Sequence, residues 1–127
     1  MNAPRMNAAT TASILVIGAD VHFCYLLQRY VRESNHPLLF SGPGDTVLEI
    51  AHREKPSLII LEDGLTDLKG QEMIRLLKSD STTCQIPLAL CSWHREETEE
   101  SEDGADIYLR MPILFGDFLA LLTQYGI

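Results

Sequence analysis

The stretch that decides the fold is Pro56-Ser57-Leu58-Ile59-Ile60-Leu61-Glu62-Asp63, an apolar run that ends in two acidic residues. A short continuous apolar run of this kind is typical of a strand buried on both faces of a sheet. Gly70 follows eight residues after Glu62 and is predicted to open the next helix. In open parallel α/β sheets function gathers at the carboxyl ends of the strands, which makes Glu62 a candidate functional residue.

On either side of this stretch, short apolar runs alternate with amphipathic segments. Strands joined by helical crossovers imply an α/β fold, a parallel sheet with helices on both faces. Asp20 and Asp45 are placed to cap the first two helices. The predicted strands are Ser13–Ile17, Pro37–Phe40, Leu58–Leu61, Ile86–Cys91 and Ile107–Leu109. The predicted helices carry apolar residues over 23–31, 47–51, 73–77 and 114–125.

The length and composition indicate one compact domain. With 127 residues and 46% hydrophobic content, we assign the domain to residues 13–127, after a flexible tail at 1–12. No apolar run approaches the ~20 residues of a membrane span, and the tail lacks the apolar segment of a secretion signal. A formal charge of −8 without a basic stripe argues against nucleic-acid binding.

The cysteines and histidines predict neither disulfides nor a metal centre. Cys24, Cys84 and Cys91 are odd in number and have no recognisable pairing pattern, which suits a reducing cytoplasm. The four histidines are scattered, with no cysteine or carboxylate at ligand spacing. We expect a cytoplasmic protein without a cofactor, while a redox input at Cys24 or Cys91 stays open.

The alternation is interrupted between Ser92 and Gly104. Residues 95–103 include six acids and no apolar residue, so no apolar stripe is available to dock a helix on the sheet. Like charges four residues apart weaken a helix further. We predict a shortened, frayed or disordered fourth helix, and the alternative is a helix that solvates one charged face.

Several landmarks, in the same order along the chain, resemble the receiver domains of bacterial response regulators, the CheY-like family. The most specific are the spacing from Pro56 to Gly70 and the string Gly104-Ala105-Asp106-Ile107-Tyr108-Leu109-Arg110-Met111-Pro112. The resemblance covers residues 13–126 and implies a flavodoxin-like fold of five parallel strands in the order 2-1-3-4-5. Ile14–Ile17 and Ile86-Pro87 also match.

Carried over position by position, the resemblance implies a site that has lost its chemistry. The acidic pair that holds Mg²⁺ in receivers corresponds to Gly18 and Ala19. The phosphate-accepting aspartate corresponds to Glu62, whose extra methylene moves the carboxylate about 1.5 Å further into the pocket. The lysine that pairs with the phosphate corresponds to Met111, which has no charge and no donor.

The remaining positions of the family's site keep their residue type. Ser92 resembles the hydroxyl that closes on the phosphoryl group, and Tyr108 resembles the aromatic switch residue. Asp63 is not a substitute acceptor, because a one-residue slip turns a strand side chain to the opposite face. Asp67 is expected in the loop beyond the strand, where it caps or is solvated.

The resemblance therefore implies a pseudo-receiver, a non-enzymatic module that is not phosphorylated with Mg²⁺. Without metal and lysine, the charge that develops during phosphoryl transfer is not stabilised. Glu62 either places its carboxylate near Ser92, where it imitates part of a phosphoryl group, or lies hydrated at the strand end.

Receivers commonly bind dimer partners and targets through the surface of the fourth helix, fifth strand and fifth helix. The resemblance makes Trp93, Tyr108 and Arg110 the candidate partner-binding residues of this chain. A histidine kinase, an output protein or a second copy forming a homodimer are the expected partners. The alternative class is a small flavodoxin-like ligand-binding protein or enzyme, although no Gly-rich phosphate cradle or Ser-His-Asp spacing is present.

Overall fold

The structure is a computed structural model that describes residues 12–41, 47–62, 67–93 and 104–127, with only the backbone described at 67–71. Strands and helices alternate along these residues, as the sequence predicts. The strands are β1 (Ile14–Ile17), β2 (Leu38–Ser41), β3 (Leu58–Glu62), β4 (Leu88–Ser92) and β5 (Ile107–Arg110). The helices are α1 (Val21–Glu33), α2 (Val47–Glu54), α3 (Asp67–Ser79) and α4 (Phe115–Gln124).

The strands form one parallel sheet in the order β2-β1-β3-β4-β5. This is the predicted order 2-1-3-4-5, and the flavodoxin-like fold is confirmed. Ile17 pairs with Leu61, so the residues that follow β1 lie beside Glu62. The carboxyl ends of β1, β3 and β4 therefore meet at one edge, where the candidate site lies.

Two apolar clusters cover the two faces of the sheet. Along β1, Ile14 and Val16 face the cluster that contains residues of α1 and α4, whereas Leu15 and Ile17 face the cluster with residues of α2 and α3. This alternation follows from the two-residue period of a strand. Each of these four side chains is fully buried, as predicted for a strand with a continuous apolar run. None of the described helices is long and apolar enough to cross a membrane.

The element boundaries differ from the prediction mainly at α3. This helix begins at Asp67, three residues before Gly70, so Asp67 is its first residue and not a loop residue. β4 begins two residues later than predicted, at Leu88. Residues 94–103 of the segment between Ser92 and Gly104, where a shortened fourth helix is predicted, lie outside the described residues, as do Asp45 and tail residues 1–11.

Lys78 connects three segments at the amino-terminal edge of the sheet. Its ammonium donates to the carbonyl oxygens of Cys84 and Ile86, at 3.0 and 3.1 Å, and to Oδ2 of Asp106 at 2.7 Å. The same Asp106 oxygen accepts the N–H of Leu88 at 2.8 Å. All three donors of the ammonium are thus used.

We expect Lys78→Met, which keeps most of the aliphatic stem, to lower the free energy of unfolding by about 1–3 kcal/mol. The loss arises because the variant leaves the carbonyls of Cys84 and Ile86 without this donor and removes one of the two donors to Oδ2 of Asp106. The control is Arg29→Met, which removes an ion pair with Glu33 whose side chains are 54% and 50% exposed. Its expected cost is below about 0.5 kcal/mol. Urea unfolding measures both, and equal losses would contradict the proposed role of Lys78.

Candidate functional site

The loop between β1 and α1 presents backbone N–H groups to the carboxyl edge of the sheet. Asp20 has extended backbone angles, and its Oδ2 accepts the N–H of Phe23 at 2.8 Å. The predicted cap of α1 is confirmed. Because Asp20 ends the loop as the N-cap, the N–H groups of Ala19 and Asp20 itself are not used by the helix and point elsewhere.

The carboxylate of Glu62 accepts both of these N–H groups. Its Oε1 lies 2.7 Å from the nitrogen of Ala19 and 3.0 Å from the nitrogen of Asp20. The Glu62 side is buried, at 6% exposure, whereas the donor residues Ala19 and Asp20 are exposed, so the interaction is partly buried. A carboxylate at a helix N-terminus is stabilised by the helix dipole and by charge-assisted hydrogen bonds. Glu62 therefore ties the end of β3 to the start of α1.

Gly18 makes the room that this arrangement needs. A Cβ placed at Gly18 would lie 2.8 Å from Cδ2 of Phe23 and 2.9 Å from Oε1 of Glu62. Both distances are shorter than the contact distance of carbon with carbon or oxygen. A side chain at position 18 therefore conflicts with the observed positions of the Phe23 ring and the Glu62 carboxylate.

Two positions are predicted for the Glu62 carboxylate, one near Ser92 and one hydrated at the strand end, and these contacts exclude only the hydrated one. The hydrated position is wrong, because the carboxylate is buried and bonded to the loop after β1. That Glu62 also imitates a phosphoryl group near Ser92 stays a prediction. Ser92 is itself 4% exposed.

The side chain of Met111 packs in an apolar environment. It is 8% exposed and belongs to the apolar cluster that includes Phe23 and Ile113. Its backbone N–H donates to the carbonyl of Ser92 at 2.9 Å, and its bond to Pro112 is cis. The thioether supplies neither charge nor a hydrogen-bond donor.

Two thiols lie close enough to Glu62 for its charge to affect them. Complete burial, and then the negative charge of Glu62, raise the pKa of the Cys91 thiol. Burial, followed by the charges of Glu62 and Asp20, raises the pKa of Cys24. Since the thiolate is the reactive form of cysteine, neither environment favours redox chemistry. This weakens the redox alternative drawn from the sequence.

The described residues do not fit the Mg²⁺ ion that receiver domains hold. No group of three or more metal-binding side chains occurs among them. Gly18 and Ala19 have no ligand atoms in their side chains, and Oδ2 of Asp20 is used as the helix cap. The N–H groups that face Oε1 of Glu62 present positive ends, which repel a cation.

The predicted partner-binding residues are placed differently from one another. Trp93 is 56% exposed and Arg110 is exposed, whereas Tyr108 is half-buried against the cluster of α2 and α3. Tyr108 and Arg110 line a groove of about 350 Å³ between β5 and α4, together with Asp117. Trp93 lies outside this groove.

Comparison with known proteins finds response regulators among the relatives of this chain. No protein-family model matches the chain. Protein PilH of Pseudomonas aeruginosa is 26% identical over 105 residues, which cover 80% of this chain and 87% of PilH. The polar-differentiation response regulator DivK of Brucella ovis is 23% identical over 118 residues, covering 91% of this chain and 96% of DivK.

The solved structures agree on the fold. The receiver domain of the sensor histidine kinase PA1611 of Pseudomonas aeruginosa superposes with a TM-score of 0.80 at 14% identity. The match covers 91% of this chain and 97% of that domain, whose active-site cleft holds a magnesium ion. The chain thus has a CheY-like receiver fold. Together with the sequence relatives, this confirms the resemblance to receiver domains of two-component response regulators.

Sequence reasoning missed the link between Gly18, Ala19 and Glu62. The small residues and the lengthened acid read as separate losses, whereas in the structure they form one contact. A signal for it was available, because the strands that precede Gly18 and Glu62 are neighbours in the predicted sheet. Compared with the receiver pattern, position 18 has no side chain and position 62 has one more methylene. Such paired changes are expected where two groups share one volume.

Proposed function

We propose that this chain is a pseudo-receiver: a receiver domain that acts by binding other proteins and is not phosphorylated with Mg²⁺. The observation that carries the proposal is the bond between Oε1 of Glu62 and the N–H groups of Ala19 and Asp20. The atom that would attack a phosphoryl donor accepts hydrogen bonds from the loop that would hold the cation. Met111 adds no compensating charge.

The energetics of phosphoryl transfer also support this proposal. Phosphoryl transfer depends on positioning and on stabilising the developing charge, and each lost stabilising group costs ~10²-fold or more in rate. Here the side chains of the metal pair and of the lysine are both replaced. A receiver without these groups retains its surface, so binding is the function that remains.

The groove between β5 and α4 supports a protein partner, with Tyr108 and Arg110 in its lining and Trp93 exposed outside it. A histidine kinase or an output protein is the partner class that we propose, because the relatives are response regulators. We further propose that the chain is not an enzyme and is cytoplasmic, which is consistent with three unpaired cysteines. The relatives give no support to a flavodoxin-like enzyme.

The fluorescence of Trp93, which is the only tryptophan and directly follows Ser92, offers a test. We expect beryllofluoride with Mg²⁺ to leave the emission of the natural chain unchanged, and radiolabelled acetyl phosphate with Mg²⁺ to leave no hydroxylamine-sensitive label. The comparison is the variant Ala19→Asp, Glu62→Asp, Met111→Lys, which restores a ligand, an acceptor and a cation. Label or a spectral change in this variant alone supports the proposal, whereas stable labelling of Glu62 in the natural chain contradicts it.

A further inference from the structure

One face of α1 is exposed although it is partly apolar. Val21 and Tyr25 are 75% and 62% exposed, and Gln28 and Arg32 continue the same stripe at three- and four-residue steps. Phe40 of the edge strand β2 is 43% exposed. It lines a groove of about 500 Å³ together with Val21, Tyr25 and Gln28. Contiguous exposed apolar surface of this kind marks an interaction site.

The charges on α1 and its cap balance, whereas the whole chain has a formal charge of −8. The two negative charges, on Asp20 and Glu33, equal in number the two positive charges, on Arg29 and Arg32. Arg29 pairs with Glu33 on the same helix at 3.2 Å, whereas Arg32 forms no ion pair with the described residues. A neutral face lets two acidic copies approach with little repulsion.

We propose that this face of α1 binds the same face of a second copy of the chain, with the two helices antiparallel about a two-fold axis. The stripe is symmetric about its own centre, so Val21 of each copy lies opposite Arg32 of the other, and Tyr25 opposite Gln28. The proposal does not depend on the chemistry at Glu62.

The side chains at these positions complement one another. The aliphatic stem of Arg32 covers Val21 of the second copy, while its guanidinium reaches the exposed Asp20. Tyr25 enters the groove beside Phe40 of the second copy, because Gln28, which it faces, lines that groove. A 13-residue helix is only about 20 Å long, so the interface is small and the dimer forms at high protein concentration.

Sedimentation velocity of the full chain from about 10 to 500 µM tests the proposal, since this range brackets the affinity of small interfaces. We expect a monomer at the low end, a dimer at the high end, and a dissociation constant raised about tenfold or more by Tyr25→Glu. The matched control is Trp93→Glu, another exposed aromatic residue, which is expected to leave the dimer intact.

A second experiment is independent of any loss of folding. Val21→Lys brings an ammonium opposite Arg32 of the second copy, and Arg32→Glu brings a carboxylate near Asp20, so each variant alone is expected to stay monomeric. In a mixture of the two, the introduced ammonium faces the introduced carboxylate across the interface, and the mixed dimer is expected to form. A natural chain that stays monomeric at about 500 µM overturns the proposal, as does a dissociation constant that is unchanged in Tyr25→Glu. Loss of the dimer in Trp93→Glu, or separate variants that do not associate when mixed, overturns it too.

Discussion

Gly18→Ala is expected to lower the free energy of unfolding by about 2–3 kcal/mol, although it adds a single methyl group. The added carbon would lie 2.8 Å from the ring of Phe23 and 2.9 Å from the carboxylate of Glu62. Phe23 is 4% and Glu62 6% exposed, so neither can move into solvent without disturbing its neighbours. To relieve the contacts, the Phe23 ring and the Glu62 carboxylate have to shift, and a shift of the carboxylate strains its bonds to Ala19 and Asp20.

Gly116→Ala is the matched control for this substitution. Gly116 lies in α4, and a Cβ at this position meets nothing within 4 Å. Alanine is the better helix former, so this variant, in the first turn of α4, is expected to be at least as stable as the natural chain. Urea unfolding followed by circular dichroism measures both changes. If Gly18→Ala were as stable as the natural chain, Gly18 would not be required for the position of Glu62.

The second large effect is expected at Glu62 itself. Glu62→Ala leaves the N–H groups of Ala19 and Asp20 without an acceptor and opens a cavity, at a cost of about 2–4 kcal/mol. Glu62→Gln keeps the shape and one acceptor oxygen but loses the charge at the helix N-terminus, which is worth about 1 kcal/mol. The difference in unfolding free energy between Glu62→Ala and Glu62→Gln separates the contribution of hydrogen bonding and packing from that of charge.

Amide hydrogen exchange at Ala19 and Asp20 measures the loss directly. We expect these two amides to exchange faster in Glu62→Ala and to remain largely protected in Glu62→Gln, since bonded amides exchange only on local opening. Asp20→Ala provides the comparison, because it removes the cap to Phe23 and leaves the acceptor of both amides in place. Its expected cost is about 1 kcal/mol. Unchanged exchange in Glu62→Ala would mean that the carboxylate does not hold this loop.

In both predictions Glu62 has a structural role. Its carboxylate connects the end of β3 to the loop that precedes α1 through the N–H groups of Ala19 and Asp20. The negative charge it brings also suppresses the thiolates of Cys91 and Cys24, whose pKa values are already raised by burial.

Much of this protein was determined by the sequence alone. The continuous apolar runs of β1 and β3 predict burial on both faces, and the helical segments between strands predict that the strands are parallel. The order of the strands was implied by the resemblance to receiver domains. Asp20 is recognisable as a cap because its side chain and its position before an amphipathic run suffice. That the side chains of Gly18, Ala19 and Met111 carry no charge follows from the residue types themselves.

Only the tertiary structure decided where the Glu62 carboxylate lies, because Glu62 is 43 residues from Ala19 and meets it through the pairing of β1 with β3. It also decided that Val21 and Tyr25 are exposed, since that depends on which elements cover α1, and that α3 begins at Asp67. The physical reason is the range of the interactions. Periodicity and capping act within a few residues, whereas steric fit and long-range hydrogen bonds exist only after distant segments have packed together.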